Sequence, residues 1–259
     1  MPLKVQPLLK SSKEVEDFLR KDLPFNGLPL YDLTLAWNQC EWFTAHEKNR
    51  LVGCLIVFKG GRGMYSFFTR GNHDAVKELA SSLPYSAIFA IIPQHHLELV
   101  KEYYQFLTVG EFLLMHLTED QYQRPEIHST ERLSLANLDE MNDFFLTTNA
   151  GAWNPIQLEI GPFHGIRAES KLVSICGTIG VYQKKPGVSV IGNLVTKPNY
   201  QGLGYGTSVL CGVIDDLFKN YRHVTLMVES DNHAALRIYK RLGFTLHATQ
   251  TIGVCQRRV

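Results

Sequence analysis

The 259-residue sequence predicts an α/β (α+β) protein built from two similar domains, residues 1–125 and 126–259. Three observations point there. Segments with strand and helix periodicity follow one order in both halves: hairpin, strand, helix, strand, helix, strand. In each hairpin a charged turn comes directly before a Leu-Val pair, at Leu51–Val52 and at Leu172–Val173. Between the halves, "TEDQYQRPEIHSTE" (118–131) is polar and broken by Pro125, which marks a linker.

In the first half, "WFTAHEKNRLVGCLIVF" (42–58) is a pair of apolar runs joined by the turn Glu47 to Arg50. "MYSFFTRG" (64–71) is a strand stopped by glycine. "NHDAVKELASSL" sets Ala75, Val76, Leu79, Ala80 and Leu83 on one helical face behind an Asn72 cap. "YSAIFAIIP" reads as a buried strand ended by proline, "QHHLELVKEYYQF" (94–106) as a second helix and "GEFLLMHL" as a closing strand.

In the second half, "FHGIRAESKLVSICGTIGVY" (163–182) repeats the hairpin around Glu169 to Lys171, and "VSVIGNLVT" is a strand. The glycine-rich "NYQGLGYG" then opens a helix with Val209, Leu210, Val213, Ile214 and Leu217 on one face. "HVTLMV" is the next strand. "DNHAALRIYKRLGF" is a helix with Asp231 as cap, Ala235, Ile238 and Leu242 on one face and Gly243 at its stop. "TLHATQTIGVC" follows as an edge or hairpin strand. Leu51 to Gln94 spans 43 residues and Leu172 to Asn232 spans 60, and much of the excess falls at the glycine loop and its helix. The second half is therefore expected to bind, and the first to be a scaffold.

Composition excludes several classes. A hydrophobic content of 45% is that of a globular chain, and a formal net charge of +1 suggests neither a nucleic-acid partner nor an acidic tail. No apolar run approaches the length that spans a bilayer, so no membrane is expected and the chain reads as soluble and cytoplasmic. The five cysteines are widely spaced with no C-x-x-C pair, consistent with reduced thiols, Cys176 and Cys211 among them in the core. No metal is expected: His95 and His96 match no H-E-x-x-H spacing and read as exposed residues. No G-x-S-x-G elbow is present. "NAGAWNPIQLEIGPF" (149–163) reads either as a lining of an acceptor pocket or as a surface loop pinned by Trp153.

The glycines Gly202, Gly204 and Gly206 raise the question of what the loop holds. A nucleotide P-loop needs lysine after its last glycine, where Thr207 and Ser208 stand. A dinucleotide fingerprint wants G-x-G-x-x-G, which this loop misses by one, and too little chain follows "LGF" to complete a doubly wound domain. Glycines without Cβ let backbone N–H groups approach a pyrophosphate closely, and a helix N-terminus adds a favourable field.

"QGLGYG" (201–206) fits Q/R-x-x-G-x-G/A, and "DNHAALRIYKRLGF" (231–244) fits a second signature in the right order. Together they resemble the GCN5-related N-acetyltransferase (GNAT) superfamily. The hairpin before them and "WNPIQLEIGPFHGIR" (153–167) resemble its two-domain, tandem members. The resemblance covers residues 130–259 well and the first half by element order. It implies two GNAT-like domains, each a mixed, mostly antiparallel sheet flanked by helices, the first degenerate and the second catalytic. It implies acetyl-CoA as co-substrate, held by Leu194, Val195, Gln201, Gly202, Leu203, Gly204, Tyr205, Gly206, Thr207 and Asn232. The Val195 backbone N–H is implied as oxyanion donor and Tyr239 as general acid to the departing thiolate. From position alone Tyr239 reads as a half-buried helix tyrosine making one hydrogen bond.

Two departures matter. Gln201 stands where arginine is frequent in the superfamily, and "VSVIGNLVT" lacks the carboxylate that many members use as base. Freeing a lysine amine at pH 7 costs about 4.6 kcal/mol and an α-amine only about 1 to 1.4 kcal/mol, so a missing base tilts the acceptor toward a low-pKa amine. Glu229 and His164 are the base candidates. The expected activity is direct acyl transfer to a primary amine, on a small molecule or a peptide N-terminus. The rivals are a non-catalytic protein that binds coenzyme A or a partner, and a nicotinamide-dependent oxidoreductase.

Overall fold

The computed structural model describes residues 3–59, 65–148 and 153–258. Met64 of the third predicted strand and residues 149–152 of the tryptophan segment lie outside them. In chain order the elements are β1 (Lys4–Pro7), α1 (Lys13–Leu19), α2 (Gly27–Thr34), β2 (Cys40–Glu47), β3 (Arg50–Lys59), β4 (Tyr65–Gly71), α3 (His73–Ser82), β5 (Ala87–Pro93), α4 (Leu97–Lys101), β6 (Tyr104–Phe106) and β7 (Gly110–Thr118). They continue as β8 (Glu131–Leu133), α5 (Leu138–Thr148), α6 (Gln157–Ile160), β9 (Phe163–Ala168), β10 (Lys171–Tyr182), β11 (Val188–Thr196), α7 (Tyr205–Leu217), β12 (His223–Glu229), α8 (His233–Arg241) and β13 (Thr245–Arg257). This is a mixed α/β fold, with a large sheet flanked by helices. No helix among the described residues is long and apolar enough to cross a membrane.

The chain forms two compact units: 1–114 with 229–231 and 248–259, and 115–228 with 232–247. In the first, the strand order is β1-β2-β3-β4-β5-β13. All neighbours are antiparallel except β4 and β5. Its core gathers Leu55, Val57, Phe67, Leu79, Ile88, Ile92, Val100 and Tyr104 between the sheet and α3 and α4. In the second, the order is β7-β12-β11-β10-β9-β8, with β11 and β12 parallel. Here Leu133, Met141, Phe144, Phe145, Phe163, Leu172 and Ile175 make a core under α5, with Trp153 packed against it.

Both hairpins turn through two residues in the left-handed region, Lys48 and Asn49 (φ 48° and 63°) and Glu169 and Ser170 (φ 48° and 64°). That matches the right-handed strand twist and fixes register in each hairpin. Asn72 caps α3 as predicted, accepting the Ala75 N–H at 2.9 Å.

Four local readings are corrected. The α8 cap is Asn232, whose side chain accepts the Ala235 N–H at 3.1 Å, and not Asp231 one residue earlier. The helix predicted over 94–106 ends at Lys101, because Tyr104–Phe106 is drawn into a strand along β13. β13 is no free edge: Gln250 to Gln256 pair with β5, and Cys255 to Arg257 pair also with β6. His96 is buried, its Nδ1 accepting from Thr69 Oγ1 at 2.9 Å and its Nε2 donating to the Gly71 carbonyl at 3.2 Å. The turn after Pro93 swings this ring inward, while His95 stays exposed. Helices α1, α2 and α5 add to what the sequence reading resolves.

Candidate active site

The parallel pairing of β11 with β12 runs from Val188↔His223 to Ile191↔Leu226 and stops. Both strands continue, β11 to Thr196 and β12 to Glu229, so they part toward their C-terminal ends. A bulge accompanies the parting. On β10, Gly177 faces Gly192 while Ile175 faces Val195, which leaves β11 with one extra residue at 193–194. Asn193 takes φ 55° there. Its side chain donates from Nδ2 to Gln157 Oε1 at 2.7 Å, and Gln157 is itself buried on α6. Trp153 anchors that segment, stacked on Phe145 at 4.8 Å and donating to Asn142 at 2.8 Å. The segment between Trp153 and Gln157 is thus a brace for the bulge.

The ladder beyond the bulge decides which amides are free. The Lys197 N–H donates to the Val173 carbonyl at 2.8 Å. Alternation along an antiparallel pair then makes Ile175–Val195 a hydrogen-bonded pair and turns the Val195 N–H toward β10. Leu194 and Thr196 present their backbone groups to the opposite edge, where β12 has parted. The Thr196 carbonyl is met there by Gln201, donating from Nε2 at 3.2 Å. Gln201 therefore ties the loop to the strand.

The glycine loop ends the opening. Gly202 (φ 78°) and Gly204 (φ 82°) occupy the left-handed region, and Gly204 is the N-cap of α7. Gly206 is helical, and a Cβ there would come 3.2 Å from Thr196 Oγ1. Among the described residues, the backbone N–H groups of Gly204, Tyr205, Gly206 and Thr207 have no acceptor, while Ser208 already bonds back to Gly204. Four convergent donors at a helix start are suited to an anion. His128 covers the loop: its Nε2 donates to the Leu203 carbonyl at 2.9 Å and its ring meets Tyr205 edge-on at 5.0 Å. A cavity of about 800 Å³ opens beside it, lined in part by Gly204, Thr207, Ile238 and Arg241. His128 and Arg241 are additions to the sequence reading: His128 lies in the polar linker, which gave no motif, and Arg241 lies within the second signature, where no role was read for it.

Tyr239 is 6% exposed on α8, edge-on to Phe244 at 5.7 Å. Its hydroxyl has no hydrogen-bond partner among the described residues, yet it is not among the sealed polar atoms, so it faces an opening. Burial, with the Cys176 thiol nearby, pushes the phenol well above its ordinary range. Asn232 and Glu229 are exposed, and Leu203 is half exposed. His164 has both ring nitrogens engaged, by Thr130 Oγ1 at 3.0 Å and Asp216 Oδ2 at 3.0 Å, in a network against α7. Among the described residues no group of three or more His, Cys, Asp or Glu side chains could hold a metal ion.

A model of the Acetyltransferase (GNAT) family matches residues 113–244, about half the chain. A Drosophila protein of solved structure shares the fold at TM-score 0.73, with 13% identity over 97% of this chain and 98% of its own. A Novosphingobium aromaticivorans protein described as an acetyltransferase from the GNAT family does so at TM-score 0.64 and 18% identity, over 92% and 100%. A tandem GNAT protein from the clavulanic acid biosynthesis pathway does so at TM-score 0.63 and 12% identity, over 99% and 98%. At these identities the likeness is one of fold. No curated protein matches the chain.

Proposed function

The chain belongs to the acetyltransferase (GNAT) family, and from that premise we propose that it transfers an acyl group from acetyl-CoA to a primary amine. The observation that carries the reading is the parting of β11 from β12, which leads to a loop whose Gly204 to Thr207 amides lack acceptors. The residues fit the co-substrate: an open strand edge for the amides of its arm and a nest of N–H groups for its pyrophosphate. Leu194, Val195 and Thr196 flank the arm, with Gly202 to Thr207 at the pyrophosphate and Asn232 beside the arm at the start of α8. When bound, acetyl-CoA supplies an acyl group activated as a thioester.

The chain's own groups then have these roles. The oxyanion donor is assigned to the Leu194 N–H in preference to Val195, whose N–H the ladder turns toward β10. The Tyr239 hydroxyl gives its proton to the leaving sulfur as the C–S bond breaks and the C–N bond forms. A phenol raised by burial is a weak acid, but the same burial raises a thiolate formed beside it, so the two stay matched. The amine's proton leaves to Glu229, exposed at the end of β12, or to water, because His164 has no ring nitrogen to spare.

The test is Tyr239→Phe. Turnover on a panel of amines should fall by roughly 10²-fold or more while coenzyme A affinity holds. If the wild-type chain binds coenzyme A yet releases no thiol from acetyl-CoA with any amine, it is a binding protein and the proposal is wrong.

A further inference from the structure

Resting on the coenzyme A reading, we infer that His128 is a positioning residue: from the linker it aims two of the open amides at the start of α7, and so sets how tightly the loop holds its anion. His128 lies outside both sequence signatures and reaches the loop on a strap that runs along α7. The Tyr122 ring meets Phe218, just past the end of that helix, at 5.7 Å, and Arg124 Nε bonds Asp215 Oδ2 at 2.8 Å. The Gln123 N–H donates to the Leu242 carbonyl at 3.0 Å. Toward the other end the His128 N–H donates to Ser208 Oγ, in the first turn of α7, at 3.1 Å. The strap is fastened near both ends of the helix, which delivers His128 to the glycine loop.

A planar trans peptide points its C=O and the following N–H in opposite directions. Holding the carbonyl therefore aims the amide. His128 Nε2 donates to the Leu203 carbonyl at 2.9 Å, which turns the Gly204 N–H to the other side of that peptide, away from the imidazole. The next peptide is fixed through Ser208. Its N–H and its hydroxyl each donate to the Gly204 carbonyl at 3.0 Å, and its Oγ accepts from the His128 N–H, so the Tyr205 N–H points out from the helix start. Sterics alone would not hold these planes. Gly202 and Gly204 flank Leu203, and glycine admits φ of either sign, so the Leu203–Gly204 peptide is free to turn over unless its carbonyl is held. The His128 ring lies against Gly204, 3.5 Å from where a Cβ would stand, and edge-on to Tyr205 at 5.0 Å. A loop already ordered loses less freedom on binding, so the contact acts on affinity.

The experiment is calorimetric titration of the full chain with coenzyme A, in the wild type and in His128→Leu, His128→Gln and His128→Asn. Glutamine carries an N–H donor about as far from the backbone as the imidazole Nε2, and asparagine one bond short of it. His128→Leu should weaken coenzyme A by about three- to tenfold, the range for one hydrogen bond, with His128→Asn matching it and His128→Gln standing near the wild type. In turnover the loss should fall on KM for acetyl-CoA, with kcat at saturation held. His128 is exposed, so the variants are expected to fold, with ligand-free melting curves as the check. An unchanged affinity in His128→Leu would overturn the inference. So would equal losses in all three variants, which would assign the effect to packing of the ring on Tyr205. A wild type that does not bind coenzyme A would sink the coenzyme A reading as well; a wild type and a leucine variant that bind it equally would sink this inference alone.

Discussion

Replacing Asp32 by asparagine should stabilise the first unit, and by more as the pH rises. Asp32 lies on α2 with 4% of its surface exposed, and no hydrogen bond or ion pair meets its carboxyl among the described residues. Burial alone pushes that carboxyl up to about 8. In the unfolded chain it titrates near 3.9, about four units lower. For an acid raised on folding, the native contribution is fully present below the unfolded pKa and is lost as pH rises toward the folded one. Each pH unit in the window from about 4 to about 8 removes about 1.4 kcal/mol, so about 4 kcal/mol is gone at pH 7. Asparagine has nearly the same shape and does not titrate. The difference in unfolding free energy between variant and wild type should therefore start near zero at pH 4, grow through neutrality and level off above pH 8. Urea unfolding at half-unit pH steps, followed by a probe of the first unit such as the Trp37 and Trp42 fluorescence, measures it. A difference that is flat with pH would refute the reasoning, as would a variant less stable than wild type at pH 8.

Two further outcomes concern the second unit. Gly202→Ala and Gly204→Ala each force an alanine to φ near 80° and should each cost about 1 to 2 kcal/mol of stability. Both should also weaken coenzyme A by several-fold in a titration, since both lie in the loop assigned to its pyrophosphate. Replacing Leu194 by its α-hydroxy acid analogue removes one N–H and keeps the side chain; kcat should fall by roughly 10²-fold with coenzyme A affinity nearly unchanged. The same replacement at Val195 should instead lower the melting temperature, because that amide faces β10 in the ladder.

What the sequence made legible was local. Left-handed turn glycines, the Asn72 cap, the paired hairpins and the two signatures all rest on residues within one turn or one strand of each other, and the fold returns them in place. What it hid depends on partners far along the chain. Asn193 is braced by Gln157, 36 residues away, and His128 reaches a carbonyl 75 residues on. His96 looks like half of an exposed pair until Thr69, 27 residues earlier, gives its Nδ1 a donor. β13 runs like an edge strand in period and composition, and only the register with β5 makes it internal. None of these contacts leaves a period or a spacing in the sequence.

The two units also show why a strand opening by itself is not a site. In the first, the parallel pairing of β4 with β5 stops at Phe68↔Ile91, although the strands run on to Gly71 and Pro93. The fold there parts its strands as the second unit does. Its exposed polar groups are then consumed from within: His96 takes the Thr69 hydroxyl and the Gly71 carbonyl, and Asn72 takes an amide of the α3 first turn. Burial drives the His96 ring down to about 4, which keeps it neutral and able to donate from one nitrogen while it accepts at the other. No glycine nest precedes α3. In the second unit β11 carries a bulge instead of a plug, and four amides at the start of α7 are left for something outside the chain. A ligand that binds the folded unit and not the unfolded chain stabilises it. The unit that leaves these amides open is the one expected to gain stability from coenzyme A, and the plugged unit is expected to gain none.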